Sequence, residues 1–440
     1  MSVAILGAGV SGLVAARRLR ERGIEVELLE GDDHPGGLCR SDTVDGHVLD
    51  RAGGHIVFSK SEKAMRYYHE LFADEPEGAM VKNERHTRIL LGGRFVPYPF
   101  ENGLAALPVE LRARCLEGLV RATLARAAGA RKPASFGDWI GWRVGEAISD
   151  AFMTPYNRKI WKLDDLNEMG IDWVDGRVPD APLSDVVRSA LGQTTVGYAH
   201  QAVFWYPRRG GFQAITDRIA RSLAGRIRLG VRVTDVARAG GRFRVNGQSY
   251  DAVISTIPMP ALARVTEGLD GATSDAASGL RSIGVASFLF GIAGEDVKPY
   301  SWVYLPEADQ GPANRVTYLS NYSPENAPSG RGSIVAEVTH RGRLDVDGAY
   351  VASLRRALAR HGLFRDEQVT VTAWRDNQHA YIHFARDFVE RRRQAIAGFE
   401  SFGLLPLGRF GRFNYYNTDL CILEALELAD RLADRLAGAS

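Results

Sequence analysis

The 440-residue sequence predicts an α/β protein with a helical insert and an antiparallel β-sheet insert. Three observations predict this class. At the amino terminus a strand, a glycine-rich turn, a helix and a second strand follow one another. Residues 104–169 have mostly helical periodicity, and residues 285–340 alternate apolar and polar side chains in several short runs. The first pattern is typical of a Rossmann-like domain, which binds a dinucleotide.

The amino-terminal stretch SVAILGAGVSGLVAARRLRERGIEVELLE supplies each element of that domain in order. Residues 3–6 form an apolar strand, residues 10–23 an amphipathic helix, and residues 25–29 a second strand that ends at Glu30. Such a helix directs its free N–H groups and the positive end of its dipole at phosphate groups. Glu30 is placed to accept hydrogen bonds from a ribose diol and disfavours a 2′-phosphate, so the predicted nucleotide is FAD or NAD rather than NADP.

The turn GAGVSG is predicted to hold the pyrophosphate. Gly7 permits the tight turn, Gly9 lets the backbone approach the pyrophosphate, and Gly12 lets the helix pack closely against the strand. Ser11 lies in the first turn of the helix and belongs to the same predicted contact. A glycine-rich turn without a ligand is the alternative, and it would not require the acid at the end of the second strand.

The next segment favours FAD over NAD. GDDHPGGLCRS, residues 31–41, continues from Glu30 with a second glycine pair and an arginine. Such a loop can cover the adenosine and the diphosphate, with Gly36 and Gly37 at the close approach and Arg40 as counter-charge. A surface salt bridge is the alternative for Arg40, and its position directly after the glycine pair favours the ligand role.

Composition places the chain among ordinary globular proteins. Hydrophobic residues make up 45% and charged residues 25%, and the net charge of +2 gives no indication of a nucleic-acid partner. Three widely spaced cysteines without a CxxC motif argue against a disulfide framework or a metal site. No apolar run reaches the roughly 18 residues of a membrane span, and the amino terminus lacks the features of a signal peptide, so the predicted location is cytoplasmic.

The predicted domain organisation is discontinuous. The FAD-binding domain comprises residues 1–80, 205–262 and 396–440, with strands expected at residues 231–236 and in DAVISTIP, and an amphipathic helix at residues 423–436. A mainly helical substrate domain with mobile loops spans residues 101–204, and an antiparallel sheet domain comprises residues 81–100 and 263–395. The sequence has one GxGxxG motif, so a reductant such as NAD(P)H would have no dedicated domain.

Eight segments resemble, in order, those of the UDP-galactopyranose mutases, a family of FAD-dependent enzymes within the amine oxidase superfamily. The segments are GGHIVFS, FVPYPFENG, FMTPYNRKIWK, DWVDGRVP, YPRRGGF, SWVYLP, RVTYLSNYSP and GRFGRFNYYNTD. The glycine-pair loop after Glu30 also resembles the second fingerprint of this superfamily. The resemblance covers nearly the whole chain, and no single segment carries it.

The resemblance implies an isomerisation without net redox change. In this family N5 of reduced FAD attacks the anomeric carbon of UDP-galactose and displaces UDP, which returns after the sugar ring has reclosed through another hydroxyl group. The implied partner is therefore a nucleotide sugar, and the implied cofactor form is reduced FAD. The protein supplies orientation and electrostatics for chemistry that the cofactor carries.

The resemblance also implies the catalytic residues. Gly53, Gly54 and His55, in the stretch DRAGGHIVFSK, would pack on the flavin beside N5. A buried histidine in a tight turn is the alternative for His55. Arg177 and Arg315 match the two arginines that bind the diphosphate, a task that suits bidentate guanidinium groups.

Further cofactor and substrate contacts follow from the same resemblance. Arg409, Asn417 and Asp419 would contact the flavin from the carboxyl-terminal segment, although Asp419 could instead cap the final helix. Aromatic residues are individually more often core than contact. The implied substrate-binding residues are Tyr98, Phe152, Tyr156 and Asn157 on the uridine side, Trp302 and Tyr304 near the sugar, and Tyr381 and Tyr415 at the diphosphate.

Three segments depart from the family pattern. Leu420 and Cys421 follow Asp419 where the family pattern leads us to expect more polar residues. Glu101 stands where eukaryotic-type members tend to have glutamine near the uridine, and a carboxylate there would oppose an anionic nucleotide unless it turns away. Residues 192–201, a candidate second lid, have no clear match. These departures concern the nucleotide and sugar specificity more than the flavin chemistry.

Two other kinds of protein compete with a mutase. A FAD-dependent amine oxidase or desaturase would have no task for paired diphosphate-binding arginines, and a non-catalytic flavoprotein would not need His55. A mutase-like enzyme for a different nucleotide sugar is also consistent with the sequence. The sugar, the physiological reductant, the pathway and the oligomeric state stay open, and a homo-oligomer is compatible with the composition.

Overall fold

The computed structural model describes residues 1–75, 79–175, 177, 181–193, 202–294 and 297–438. Its α-helices alternate with strands in the first and last thirds of the chain and dominate the segment between residues 100 and 190. The α-helices are Val10–Glu21, Glu62–Glu70, Val109–Ala127, Phe136–Val144, Glu146–Ile148, Thr154–Trp161, Leu183–Ala190, Gln213–Arg221, Met259–Val265, Gly271–Ser278, Gly348–Arg360, Phe388–Phe402, Gly408–Gly411 and Thr418–Ala437.

A parallel sheet of five strands forms the predicted Rossmann-like core. All of its pairings are parallel, and residues 3–6 and 252–255 of two neighbouring inner strands are buried and mostly apolar, as expected for a sheet covered on both faces. The strand order is Leu405–Pro406, Ala252–Ser255, Ser2–Leu6, Glu25–Leu29 and Ile227–Arg228. Strands from three distant parts of the chain therefore build one sheet, and the predicted fold class is confirmed.

The glycine-rich turn places the first helix hard against the first strand. Gly7 has a φ of +97°, which favours glycine. A Cβ atom added at Gly12 would lie 2.2 Å from the carbonyl oxygen of Gly7, whereas one added at Gly9 would meet nothing within 4 Å. Gly12 therefore serves packing inside the protein, and Gly9 leaves open space in front of the helix N-terminus.

The second sheet has seven strands. The two long neighbouring pairings of Arg281–Ala293 are antiparallel, as predicted. One pairing differs from the prediction, because Trp302–Tyr304 runs parallel to Thr87–Leu91 and makes the sheet mixed. The strand order is Val369–His383, Arg281–Ala293, Arg331–His340, Arg315–Tyr318, Trp302–Tyr304, Thr87–Leu91 and Arg94–Pro97.

Short strands complete the structure. Three form a small antiparallel sheet, and four form two further antiparallel pairs, one a hairpin and one that joins segments distant in the chain. These strands are Val236–Ala239 with Arg242–Val245 and Gln248–Tyr250, Ser41–Val44 with His47–Asp50, and Met80–Glu84 with Val203–Pro207.

Two predictions about element limits are wrong. Residues 231–235 form no strand, and the strand begins only at Val236, because the preceding backbone bonds to Glu30 and to the Asn246 side chain instead of a neighbouring strand. The predicted boundary at residues 262 and 263 falls inside the helix Met259–Val265, and that at residues 395 and 396 inside the helix Phe388–Phe402. The three-domain division therefore stays a proposal whose limits need to move to loops.

Within the described ranges, no helix combines the length and the apolar character that crossing a membrane requires. In the same ranges no group of three or more histidine, cysteine or acidic side chains is arranged to hold a metal ion.

Candidate active site

The stretch DRAGGHIVFSK lies directly on the seven-stranded sheet. Gly53 is buried with a φ of +84°, and a Cβ atom added there would lie 2.3 Å from the carboxyl carbon of Glu337. A Cβ atom added at Gly54 would lie 2.6 Å from Cγ2 of Thr317. Only glycine fits at these two positions, because the polar side chains of the sheet fill the space behind them. The loop that leads to His55 therefore lies close against the sheet.

His55 is held as a neutral imidazole. Its Nδ1 lies 2.8 Å from the carbonyl oxygen of Gly53, and its ring lies 5.1 Å from the ring of Phe212. Burial lowers the pKa of His55 to about 4, and the positive charges of Arg315 and Arg409 act in the same direction. Because a carbonyl oxygen only accepts, Nδ1 carries the proton and Nε2 is left as a hydrogen-bond acceptor.

Arg315 is fixed by a buried carboxylate on the neighbouring strand. Its Nε and Nη2 donate to the two carboxylate oxygens of Glu337 at 2.6 and 2.8 Å. Glu337 is fully buried, whereas the Arg315 side chain keeps 21% of its surface exposed. Burial disfavours the charge on Arg315, but Glu337 raises its pKa well above the ordinary value. The guanidinium group thus stays charged and keeps Nη1 for a further acceptor.

Tyr415 lies close to two cations. The guanidinium carbon of Arg177 is 3.8 Å from the centre of the Tyr415 ring, and that of Arg409 is 4.5 Å from it. Arg409 donates to the carbonyl oxygens of Tyr416 at 2.7 Å and of Ala380 at 2.9 Å. In the described part of the chain neither arginine forms an ion pair with a carboxylate. The structure therefore places two positively charged groups within 4.5 Å of the centre of the Tyr415 ring.

Tyr381 connects these cations to Arg315. Its ring lies 6.4 Å from that of Tyr415. Burial raises the pKa of Tyr381, the charge of Glu337 acts in the same direction, and the charges of Arg315 and Arg409 oppose it. Tyr381 and Tyr415 thus lie near each other, with Arg177 against the Tyr415 ring and Arg315 acting on Tyr381.

A group of aromatic rings lies near Arg315. The space that these rings border together with His55, Arg315, Tyr381 and Tyr415 is called the cleft below. The Tyr304 ring lies 5.3 Å from that of Tyr98 and 5.1 Å from that of Tyr156. Burial raises the pKa of Tyr156 well above its ordinary value, with Tyr304 acting in the same direction and Arg315 opposing it. Trp302 is buried beside this group, and its Nε1 has no hydrogen-bond partner among the described residues.

Two predicted substrate residues are buried beneath the cleft. Phe152 stacks between the rings of Phe100 and Tyr156, at 5.4 and 5.5 Å, within the π-helical turn Ser149–Met153. Asn157 donates to the carbonyl oxygen of Met153 at 2.7 Å and accepts from Trp161 at 3.1 Å. Their side chains hold the helix that presents Tyr156. Of these three residues, Tyr156 is therefore the better candidate for direct contact with a substrate.

The amino-terminal turn fits the predicted FAD. Glu30 accepts hydrogen bonds from the backbone N–H groups of Ala8 at 2.7 Å and Asp32 at 3.0 Å, which fixes its carboxylate at the end of the second strand. Arg40 is buried and pairs with Asp32 and Asp33, while its Nε has no partner in the described ranges. The salt-bridge alternative for Arg40 is thus realised in part, and an unused donor remains.

The carboxyl-terminal segment fits the same cofactor. Asn417 occupies the N-cap of the helix Thr418–Ala437 without a side-chain capping bond, so the first-turn N–H groups of this 20-residue helix remain free to donate to a ligand. Asp419 is therefore not the cap. Its Oδ2 accepts from Ser59 at 2.6 Å, and its buried Oδ1 has no partner among the described residues. Arg409 Nε is a third buried polar atom without a partner there.

The sequence did not single out three residues that shape the site. Asp50 and Glu337 are fully buried carboxylates, and the guanidinium group of Arg85 lies 4.6 Å from the Trp302 ring and 5.1 Å from the Tyr98 ring. An alternating strand with one acidic residue on its buried face, as in SIVAEVTH, was the available signal for Glu337. Asp50 and Arg51 do not pair with each other, because Arg51 bonds to Asp42.

Two of the three departures from the family pattern, Glu101 and residues 192–201, differ in outcome. Glu101 lines a cavity of about 290 Å³ with Arg126 and Arg143 in the helical layer, although its charge still acts on Tyr98. The carboxylate thus borders arginines rather than facing only the cleft. Of the candidate second lid, residues 194–201 lie outside the described residues.

Several known proteins resemble this chain along most of its length. The sequence profile of the family described as flavin-containing amine oxidoreductase matches residues 10–399. A crystal structure of reduced UDP-galactopyranose mutase has a TM-score of 0.89 at 28% identity, covering 98% of this chain and 93% of that one. Coproporphyrinogen III oxidase of Mycobacterium tuberculosis is 25% identical over 347 residues, 73% of each chain. A putrescine oxidase variant, at 17% identity and a TM-score of 0.65 over 98% of each chain, shares the fold alone.

We expect His55 to make the protein less stable in acid. Its pKa is about 4 in the folded chain and ordinarily 6.5, so between these values the unfolded chain binds a proton that the folded chain does not. The free energy of unfolding should therefore fall as the pH drops from 6.5 towards 4, by at most about 1.4 kcal/mol per pH unit. Urea unfolding of wild type and His55→Gln at several pH values measures the difference.

His86→Gln is the control, because the His86 side chain is 53% exposed and lies outside the site. It should follow the wild type at every pH. A difference in stability between wild type and His55→Gln that does not change with pH would contradict the neutral, buried imidazole.

Proposed function

Because the chain belongs to the family of flavin-containing amine oxidoreductases, and is thus a FAD-dependent enzyme, we propose that it interconverts the pyranose and furanose forms of a nucleotide sugar. UDP-galactopyranose and UDP-galactofuranose are the preferred pair, and the similarity to a UDP-galactopyranose mutase structure supports them. The observation that carries the proposal is that two arginines, Arg177 and Arg409, both lie against the ring of Tyr415.

The charge of this cleft favours an anion over an amine. Arg177 and Arg409 have no carboxylate partner in the described ranges, and the one carboxylate close to Arg315 is already used by that residue. A protonated amine substrate would be repelled by three such cations, whereas a diphosphate would be stabilised by each of them. The proposed diphosphate ligands are Arg177, Arg315, Tyr381 and Tyr415.

The aromatic end of the cleft suits the nucleoside. Tyr156 and Tyr98 offer ring faces and hydroxyl groups for uracil and ribose. Phe152 and Asn157 hold the helix that presents Tyr156, whereas Tyr98 directly follows the strand Arg94–Pro97. Trp302 and Tyr304 lie between this end and Arg315 and are proposed to contact the sugar. Such a division keeps the charged part of the substrate at the charged end of the cleft.

Reduced FAD, when bound, supplies the nucleophilic nitrogen N5 for the anomeric carbon. In the proposed reaction the arginines keep the released UDP in place until it returns, which avoids loss of the leaving group to solvent. His55 presents an unprotonated Nε2 and can accept a proton or a hydrogen bond at the reacting end. The proposed cofactor contacts are those of the amino-terminal turn, the loop at Arg40, the Gly53–Gly54 pair, and Arg409, Asn417 and Asp419.

A reducing, cytoplasmic setting and an external reductant complete the proposal. The three cysteines are buried and free, in keeping with a reducing compartment. The flavin must be reduced before it acts, so NAD(P)H or another reductant is a proposed partner. Such a reductant would approach through the substrate cleft, because the sequence has one dinucleotide motif.

The direct test is turnover of UDP-galactofuranose by the dithionite-reduced, FAD-loaded protein. We expect conversion to UDP-galactopyranose, detected by chromatography, and none by the oxidised protein. Conversion that is equally fast with oxidised protein would contradict the proposed role of the flavin. Absence of conversion, combined with oxidation of an amine or an apolar substrate by oxygen, would favour the redox activities named for the oxidases among its relatives.

The role of Arg315 requires a paired substitution. Arg315→Ala alone should lower the free energy of unfolding by about 3–5 kcal/mol, because it leaves Glu337 buried without its counter-charge. Arg315→Ala combined with Glu337→Gln should recover most of that stability. Turnover by the double variant should still fall by about 10²–10³-fold, because the charge on the diphosphate is lost.

Arg343→Ala is the matched control, since Arg343 forms an exposed ion pair with Asp345. It should change neither stability nor turnover appreciably. A stable double variant with wild-type turnover would show that Arg315 takes no part in the reaction.

A further inference from the structure

The segment YPRRGGF surrounds the carboxylate of Asp50. Asp50 ends the strand His47–Asp50 and is fully buried. It accepts a hydrogen bond from the Ser41 hydroxyl at 2.6 Å, and the Tyr206 hydroxyl lies 3.0 Å from both of its oxygens. The backbone N–H of Phe212 donates to it at 3.3 Å. The two ends of the segment therefore bind the same carboxylate.

The turn between them is shaped to close around that carboxylate. Gly211 has a φ of +66°, and a Cβ atom added there would lie 2.4 Å from the Ser41 hydroxyl oxygen. Ser41 in turn accepts a hydrogen bond from the backbone N–H of Gln213 at 3.2 Å. A side chain at position 211 would force Ser41 away from Asp50.

No cation neutralises Asp50 within the described ranges. Arg51, its neighbour in sequence, bonds to Asp42, so the ligands of Asp50 are hydroxyl and backbone N–H groups. Burial raises the pKa of Asp50 to about 6, while its hydrogen bonds oppose that shift. A buried carboxylate with neutral ligands costs stability, which is a cost that a purely structural position could avoid with an apolar side chain.

Asp50 also reaches the GGH loop. Its Oδ2 lies 3.5 Å from the backbone nitrogen of His55, the longest of its contacts. Phe212, whose N–H it holds, places its ring 5.1 Å from the His55 ring. Asp50 therefore acts on His55 twice, through the backbone and through the ring that packs against the imidazole, while Glu337 fills the space behind Gly53.

We propose that Asp50, held by the YPRRGGF segment, is the positioning residue that fixes the GGH loop and the orientation of His55. Its relevance to turnover rests on the proposed function, and its structural part does not. Asp50 touches neither substrate nor cofactor in this account and acts through His55 and Phe212. In Asp50→Asn one carboxylate oxygen becomes an amide N–H₂ group, which faces groups that themselves donate. The hydrogen bonds to that oxygen would therefore be lost, and the loop would be held on one side only.

Hydrogen exchange of the FAD-loaded, oxidised protein tests the structural part. In Asp50→Asn we expect amides in peptides that cover residues 51–58 to exchange at least about 10-fold faster, because the loop opens more often. Tyr206→Phe removes one donor and keeps the carboxylate, so it should show a smaller increase in the exchange rate of these amides. It provides the same test if Asp50→Asn folds poorly. Asp138→Asn is the control, because Asp138 bonds Ser135 at 2.7 Å in the helical layer, and its loop exchange should match the wild type.

Turnover of the reduced variants tests the link to His55. We expect kcat of Asp50→Asn to fall by at least about 10-fold with KM nearly unchanged and FAD retained, because the imidazole is misplaced and the diphosphate site is intact. Unchanged loop exchange in Asp50→Asn and Tyr206→Phe would overturn the proposal, and so would a loosened loop with an unchanged kcat. Failure of the wild type to convert UDP-galactofuranose would instead overturn the proposed function, and the exchange result would still decide the role of Asp50.

Discussion

The buried ion pair between Arg315 and Glu337 is the interaction on which the candidate site depends. It joins neighbouring strands through two hydrogen bonds of 2.6 and 2.8 Å and keeps a charged guanidinium group at the cleft. The same carboxylate fills the space that a side chain at position 53 would need. One acidic residue thereby fixes both the cation that faces a substrate and the backbone of the loop that presents His55.

Charge, rather than fold, separates the proposed mutase from the oxidases that it resembles. A Rossmann-like domain with a substrate sheet hosts many reactions, so the similarity to a putrescine oxidase variant says nothing about the substrate. The net charge of +2 is small, yet Arg177, Arg315 and Arg409 lie around the same cleft, and among the described residues only Arg315 of the three forms an ion pair with a carboxylate. An arrangement of this kind lowers the free energy of a bound diphosphate and raises that of a bound amine.

Local patterns predicted the parts of the structure that local interactions determine. The turn from Gly7 to Gly12 and the acid at Glu30 follow from the conformational needs of one strand, one turn and one helix. The limits of the irregular segment at residues 231–235 did not follow, because its backbone bonds to a distant side chain, Asn246. Burial of Asn157 beneath the cleft was equally invisible, since it depends on Trp161 one helical turn away being in the core.

The assembly of the site itself was accessible only through the family resemblance. Arg177 and Arg409 lie more than 200 positions apart in the chain, and no periodicity indicates that both contact Tyr415. Asp50 and Glu337 look like ordinary acidic residues in the sequence, and only their burial and hydrogen bonds distinguish them.

The most direct measurement of the central claim is calorimetric binding of UDP and of uridine to the oxidised, FAD-loaded protein. Since the arginines act on the diphosphate, UDP should bind at least about 10-fold more tightly than uridine, a difference of about 1.4 kcal/mol. Arg177→Ala should reduce that preference and leave the affinity for uridine unchanged. Equal affinities for UDP and uridine in the wild type, or binding of a diamine in preference to UDP, would contradict the account.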